Sequence, residues 1–103
     1  MPRRPPADRP HPGYVEGERV FGPPSGTFDR EWVAHDVQRV VAGLDFARAY
    51  AVVGLAWQAL RHGVPADSEA LSRRLERDGV DEALARATAD RVLTFCEAYA
   101  VTV

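Results

Sequence analysis

From residue 28 onward the apolar positions fall at helical spacing, and no convincing strand pattern interrupts them. Phe28, Trp32, Val33, Val37, Val40, Val41 and Leu44 recur every three or four residues, with Glu31, His35, Asp36, Gln38 and Arg39 between them. That spacing predicts an amphipathic first helix. Thr27 is a permitted N-cap, and Asp29 and Glu31 put negative charge in the first turn, where the helix dipole favours it. Gly43 can close this helix and Asp45 can cap the next; one helix, continuous or kinked across this point, is the alternative.

The second helix, Phe46 to His62, is apolar nearly all round from Tyr50 to Leu60, with Gln58 the only polar interruption. A helix of that kind is expected at the centre, covered on most sides. Ala47, Ala51, Gly54, Ala56 and Ala59 would let neighbouring backbones approach closely. Gly63 suits the position after the helix end, and Pro65 blocks continuation. A short third helix, about Asp67 to Arg77, has Asp67 or Ser68 as its cap and Leu71 and Leu75 on one face. After the turn "RDGVD", the last helix, about Asp81 to Tyr99, is expected to bury Leu84, Ala87, Val92, Phe95 and Cys96. The terminal "YAVTV" is too short to form a sheet without a partner strand.

Residues 27–103 therefore read as an all-α domain of about four helices. Residues 1–26 differ in kind: seven of the eight prolines lie there, removing backbone donors and fixing φ. This is an extended proline-rich arm. Its composition favours disorder in isolation, and Tyr14, Val15, Val20 and Phe21 offer contacts for a strap over a neighbouring subunit. The helical part has roughly 75 residues, and a domain of that size buries only about 60% of the surface its unfolded chain exposes, so a partner would help.

Charge narrows the partners. Thirteen basic and fifteen acidic residues give a net charge of −2, which supplies no bulk attraction to nucleic acid or an anionic membrane. Every basic residue is arginine, and lysine, isoleucine and asparagine are absent, a usage that points to a high-GC bacterium. The uncharged run Ala49 to Leu60 falls short of the roughly 20 residues of a membrane span, and the N-terminus has no apolar signal core, so a cytoplasmic location is expected. The single cysteine, Cys96, excludes an internal disulfide, and a small buried hydrophobe is its simplest role.

No catalytic constellation stands out: there is no phosphate-binding glycine loop and no pair of carboxylates that spacing would bring together. Glu31, His35 and Asp36 share a helix surface, yet without a second ligand cluster a solvated face explains them. His62, at a helix C-terminus, is accounted for by the dipole. Ser68–Arg77 and Asp81–Tyr99 around Gly79 have the outline of a helix-turn-helix, with Arg73, Arg74 and Arg77 on the first helix. Asp81 and Glu82 would then face phosphates at the start of the reading helix, which disfavours DNA. Arg48 is the arginine of interest, because it enters the most apolar helix and must reach its edge or meet an anion.

Phe21, Gly22, Thr27, Phe28, Glu31, Trp32, Ala42 and Gly43, in "RVFGPP", "GTFDREW" and "VAG", together with "ALRHGVPADSEAL", resemble the N-terminal part of nitrile hydratase β subunits. The chain is also similar to one of the two chains into which thiocyanate hydrolases divide that subunit. The resemblance implies a helical subunit, not catalytic alone, of a heteromeric lyase that hydrates nitriles to amides. Its partners would be a metal-bearing α-type subunit, with cobalt or iron in a cysteine claw, and possibly a separate barrel-like subunit. This chain itself would hold no metal. Arg48 is matched to the arginine that hydrogen-bonds the oxidised claw cysteines, and Phe21, Phe28, Trp32, Tyr50 and Trp57 to the subunit interface. The chain lacks much of the family's tyrosine-rich segment. The alternative is a small helical adaptor or self-associating regulator, with Phe28 and Trp32 then packing within their own fold.

Overall fold

The computed structural model describes residues 26–103, which form four helices and, among the described residues, no strand. They are α1 (Arg30–Val40), α2 (Phe46–Arg61), α3 (Ser68–Arg77) and α4 (Glu82–Ala98). The expected all-α architecture is the one observed. The arm, with Phe21, lies outside the described residues. No helix among the described residues is long and apolar enough to cross a membrane.

Each helix begins in the same way. Asp29, Asp45, Asp67 and Asp81 are extended N-cap residues whose carboxylates accept the backbone N–H three residues on, at Trp32 (2.9 Å), Arg48 (2.8 Å), Ala70 (3.0 Å) and Leu84 (3.3 Å). Each cap satisfies an orphan donor and sets a negative charge against the dipole. The first helix thus starts at Asp29 rather than at the expected Thr27 cap. An aspartate gives both the hydrogen bond and the charge, where threonine gives only the first. A break separates α1 from α2, which excludes the continuous-helix alternative: Val41 ends α1 in an extended conformation, and Gly43 turns the chain with φ +78°.

The last three helices also end alike. At α2 the Val64 N–H reaches Ala59 O (3.0 Å) and Gly63 reaches Leu60 O (3.1 Å); at α3, Val80 reaches Leu75 O (3.0 Å) and Gly79 reaches Glu76 O (3.0 Å). At α4, Val101 reaches Cys96 O (2.9 Å), and the left-handed position that is glycine in the other two is Ala100, at φ +55°. This is the Schellman closure, in which a left-handed residue lets two N–H groups satisfy the last carbonyls. The valine that follows packs back on the core each time, and Val80 is almost fully buried.

α2 and α4 each touch the other three helices, whereas α1 and α3 do not touch each other. The core between them is built mainly of alanine and valine: Val33, Ala34 and Val37 of α1, Ala49, Val52, Val53, Ala56 and Ala59 of α2, and Ala85, Ala89 and Val92 of α4. The larger Leu71 and Leu75 of α3 are fully buried, as the spacing of four predicts. On α4, Leu84, Val92 and Phe95 are buried as expected, while Ala87 and Cys96 are half-buried.

One expectation needs correction: Val40, assigned to the apolar stripe of α1, is 54% exposed at the helix end. The second helix is covered on most sides, as expected, by α1, α3 and α4, and Ala47, Tyr50, Ala51 and Leu55 stay exposed on its remaining side.

Two changes test these local accounts. Ala100→Gly removes the Cβ strain of a left-handed residue and is expected to raise unfolding free energy by about 1 kcal/mol in a urea titration. Thr88 is fully buried and its hydroxyl has no hydrogen-bond partner among the described residues, so Thr88→Val should also stabilise by about 1 kcal/mol. A loss of stability in either variant would refute the corresponding account.

Candidate functional site

The aromatic residues ring the small-residue core. Phe28 stacks on Trp57 of α2 with ring centres 4.3 Å apart and planes 2° from parallel, and meets the edge of Phe95 at 5.5 Å. Phe95 continues to Tyr99 at 4.6 Å, and Trp32 meets Tyr99 edge-on at 6.2 Å. The Gly26 N–H donates to Tyr99 O (2.6 Å), so the chain enters the domain beside the end of α4. Phe28, Trp32 and Trp57 therefore pack within the chain's own fold, each half-buried with an outer edge remaining. Such ring pairs each contribute about 0.5–1.5 kcal/mol beyond area burial.

On the opposite flank of α1, His35 Nδ1 lies 3.0 Å from Gln38 Oε1, and Gln38 Nε2 donates to Leu44 O at 3.0 Å. The His35 ring rests on Phe46 (4.7 Å), which meets Tyr50 (5.4 Å). Asp36 turns away toward α4. Its Oδ2 is 2.9 Å from Arg91 Nε and its Oδ1 3.2 Å from Arg39. The Arg91 contact is an ion pair by distance, with its N–H misaligned for a hydrogen bond. Glu31 is exposed, so Glu31, His35 and Asp36 do not converge. Among the described residues no three His, Cys, Asp or Glu side chains are grouped to hold a metal ion.

Arg48 lies in the first turn of α2 and is exposed, its guanidinium making no hydrogen bond or ion pair with a described residue. It reaches the helix edge, one of the two outcomes open to it. Leu55, 41% exposed, lies two turns on along the same face of α2, so apolar surface accompanies Arg48; Tyr50, 37% exposed, is turned to the other edge of the helix. On α3 and α4, Arg73 pairs with Glu69 (2.7 Å), Arg74 with Asp78 (3.4 Å) and Arg86 with Glu82 (3.5 Å), all i,i+4 pairs on solvated surface.

The arginine that sequence reasoning passed over is Arg30. From the first turn of α1 it crosses to α2, where Nε donates to Tyr50 O (2.8 Å) and the guanidinium carbon sits 3.9 Å from the centre of the Tyr50 ring. Its end lies where a Cβ on Gly54 would be, so only glycine leaves it room. Nothing local in "TFDREW" signals this docking, because Tyr50 and Gly54 stand on another helix. A shallow groove of about 430 Å³ opens beside it, lined by Arg30, Ala51, Gly54, Leu55, Trp57 and Gln58.

Cys96 borders a second shallow groove, about 310 Å³, with Leu93, Val101 and Val103. Burial pushes its thiol above the ordinary value, because the thiolate would lose hydration there. The neutral thiol therefore favours the folded state below its ordinary pKa, and that contribution is lost as pH rises through the raised value. Alkylation by iodoacetamide at pH 8 should be several-fold slower in the folded chain than in urea; equal rates would contradict the burial. No family model, curated protein or solved structure matches the chain.

Proposed function

We propose that this chain is a helical, non-catalytic subunit of a heteromeric metalloenzyme of the nitrile hydratase type, docking on a metal-bearing subunit through the open side of α2. The observation that carries this reading is Arg48: an exposed guanidinium without a partner among the described residues, two turns before exposed Leu55 on the same face of α2. Arginine is the side chain suited to a dry subunit boundary, since its planar fork donates paired hydrogen bonds to an anion and cannot be neutralised by losing a proton. The oxygens of oxidised cysteines are acceptors of that kind.

In this arrangement the chain supplies shape and one charge, and the partner supplies the metal and the bond-making chemistry. The aromatic set divides accordingly. Tyr50 is 37% exposed with one face against the Arg30 guanidinium, whereas Phe28, Trp32 and Trp57 hold α1, α2 and α4 together and present only their edges. The exposed apolar surface of α2 also supports a second reading, a self-associating adaptor in which two copies cover that face mutually.

Recovery of the tagged chain from its host, with mass spectrometry and metal analysis of what accompanies it, separates the two. A cobalt- or iron-bearing subunit with a cysteine claw supports the first, and a metal-free homo-oligomer discards it. Within such a complex, Arg48→Ala should lower nitrile turnover about 100-fold or more while assembly survives, the scale seen on losing one anion-stabilising donor. Full turnover in that variant would remove Arg48 from the site.

A further inference from the structure

We propose that the groove beside Arg30 is a receptor for a glutamate or aspartate carboxylate carried on an apolar segment of a partner protein. A surface arginine ordinarily gives up rotamer freedom when it is fixed for binding. In this fold Arg30 is already fixed. Tyr50 O holds Nε at 2.8 Å, the Tyr50 ring covers one face of the guanidinium at 3.9 Å, and the bare backbone of Gly54 accepts its end.

The terminal nitrogens of Arg30 remain unused. They make no hydrogen bond to a described residue, and the guanidinium pairs with no carboxylate among them. Two parallel N–H groups on a planar fork match the two oxygens of a carboxylate. A phosphate dianion would call for further cationic donors; among the described residues no second one lines this groove, Arg61 lying over the Trp57 ring at 5.8 Å outside the lining. The remaining walls choose the carrier. Ala51, Leu55 and the Trp57 ring are apolar, so a free small carboxylate would leave them wet, whereas apolar residues flanking a glutamate would cover them. Gln58 adds an amide able to meet the backbone of such a segment.

Gly54 supplies a clean test. In Gly54→Ala the new methyl displaces the end of a flexible side chain, and alanine is a better helix former than glycine, so the fold survives while Arg30 loses its seat. The full-length chain, labelled with ¹⁵N, would be titrated with Ac-Leu-Glu-Leu-NH₂, with its glutamine counterpart and with inorganic phosphate. The signals to follow are Arg30 Nε–H and Trp57 Nε1–H.

The glutamate peptide should shift both signals and saturate in the millimolar range, while the glutamine peptide and phosphate leave them in place. Gly54→Ala and Arg30→Gln should each weaken the response at least tenfold. Any of four results overturns the proposal: no shift with the glutamate peptide, an equal shift with the glutamine peptide, tighter binding of phosphate, or an undiminished response in Gly54→Ala. None of these outcomes depends on whether a metal-bearing subunit exists.

Discussion

Close approach of helix backbones at α2 is the constraint from which the rest of this fold follows. α2 contacts all three other helices, and it does so with Ala49, Val52, Val53, Ala56 and Ala59 in the interior. Side chains of that size let helix axes come near one another but bury little area each, and area is the main favourable term in folding. The bulk apolar surface is therefore found around the edge. Phe28, Trp32, Trp57, Phe95 and Tyr99 close one flank, and His35, Phe46 and Tyr50 another. An alanine core with an aromatic girdle is one way for so short a chain to gather enough buried surface, and it brings aromatic rings close to the outside.

Around this core the helix boundaries are set by a repeated local grammar. An aspartate opens every helix, and a left-handed residue followed by valine closes three of them. Because each signal acts within a few residues, most of this was legible in the sequence: Asp45 as a cap, Asp67 or Ser68 as the next, Gly63 as the closing residue, and Leu71 with Leu75 as the buried face of α3. The sequence puts Thr27 at the cap of α1 and Asp29 in its first turn, whereas in the fold Asp29 is the cap, because its carboxylate meets the Trp32 N–H. Ala100 was not foreseen as a closing residue, since nothing in alanine itself marks a left-handed position; the helix end imposes it.

What the sequence could not show is which side of an apolar helix finds neighbours. From Tyr50 to Leu60 the second helix is apolar nearly all round, and the pattern alone implies cover on most sides. The fold supplies three neighbours, and Ala47, Ala51 and Leu55 are left facing outward. The same limit hid Arg30. Its docking depends on a carbonyl and a missing side chain on another helix, a relation that has no period and no motif. Gly54 was legible as a small residue permitting close approach; that the approaching group is a guanidinium rather than a backbone is a tertiary fact.

Arg48 and Arg30 make the two sides of α2 unequal in what they offer a partner. Arg48 extends from the first turn without an anchor among the described residues, so binding through it must immobilise a long side chain, and a gain appears only where a partner presents a strong, desolvated anion. Arg30 has lost that freedom on folding, and its ordering cost is offset inside the chain by the Tyr50 carbonyl and ring. A fixed donor binds a weaker anion at lower cost and discriminates by geometry, since it cannot swing to meet a misplaced group. On the two proposals above, the anchored arginine would set the register of a docked segment, and Arg48 would answer a charge that a partner brings.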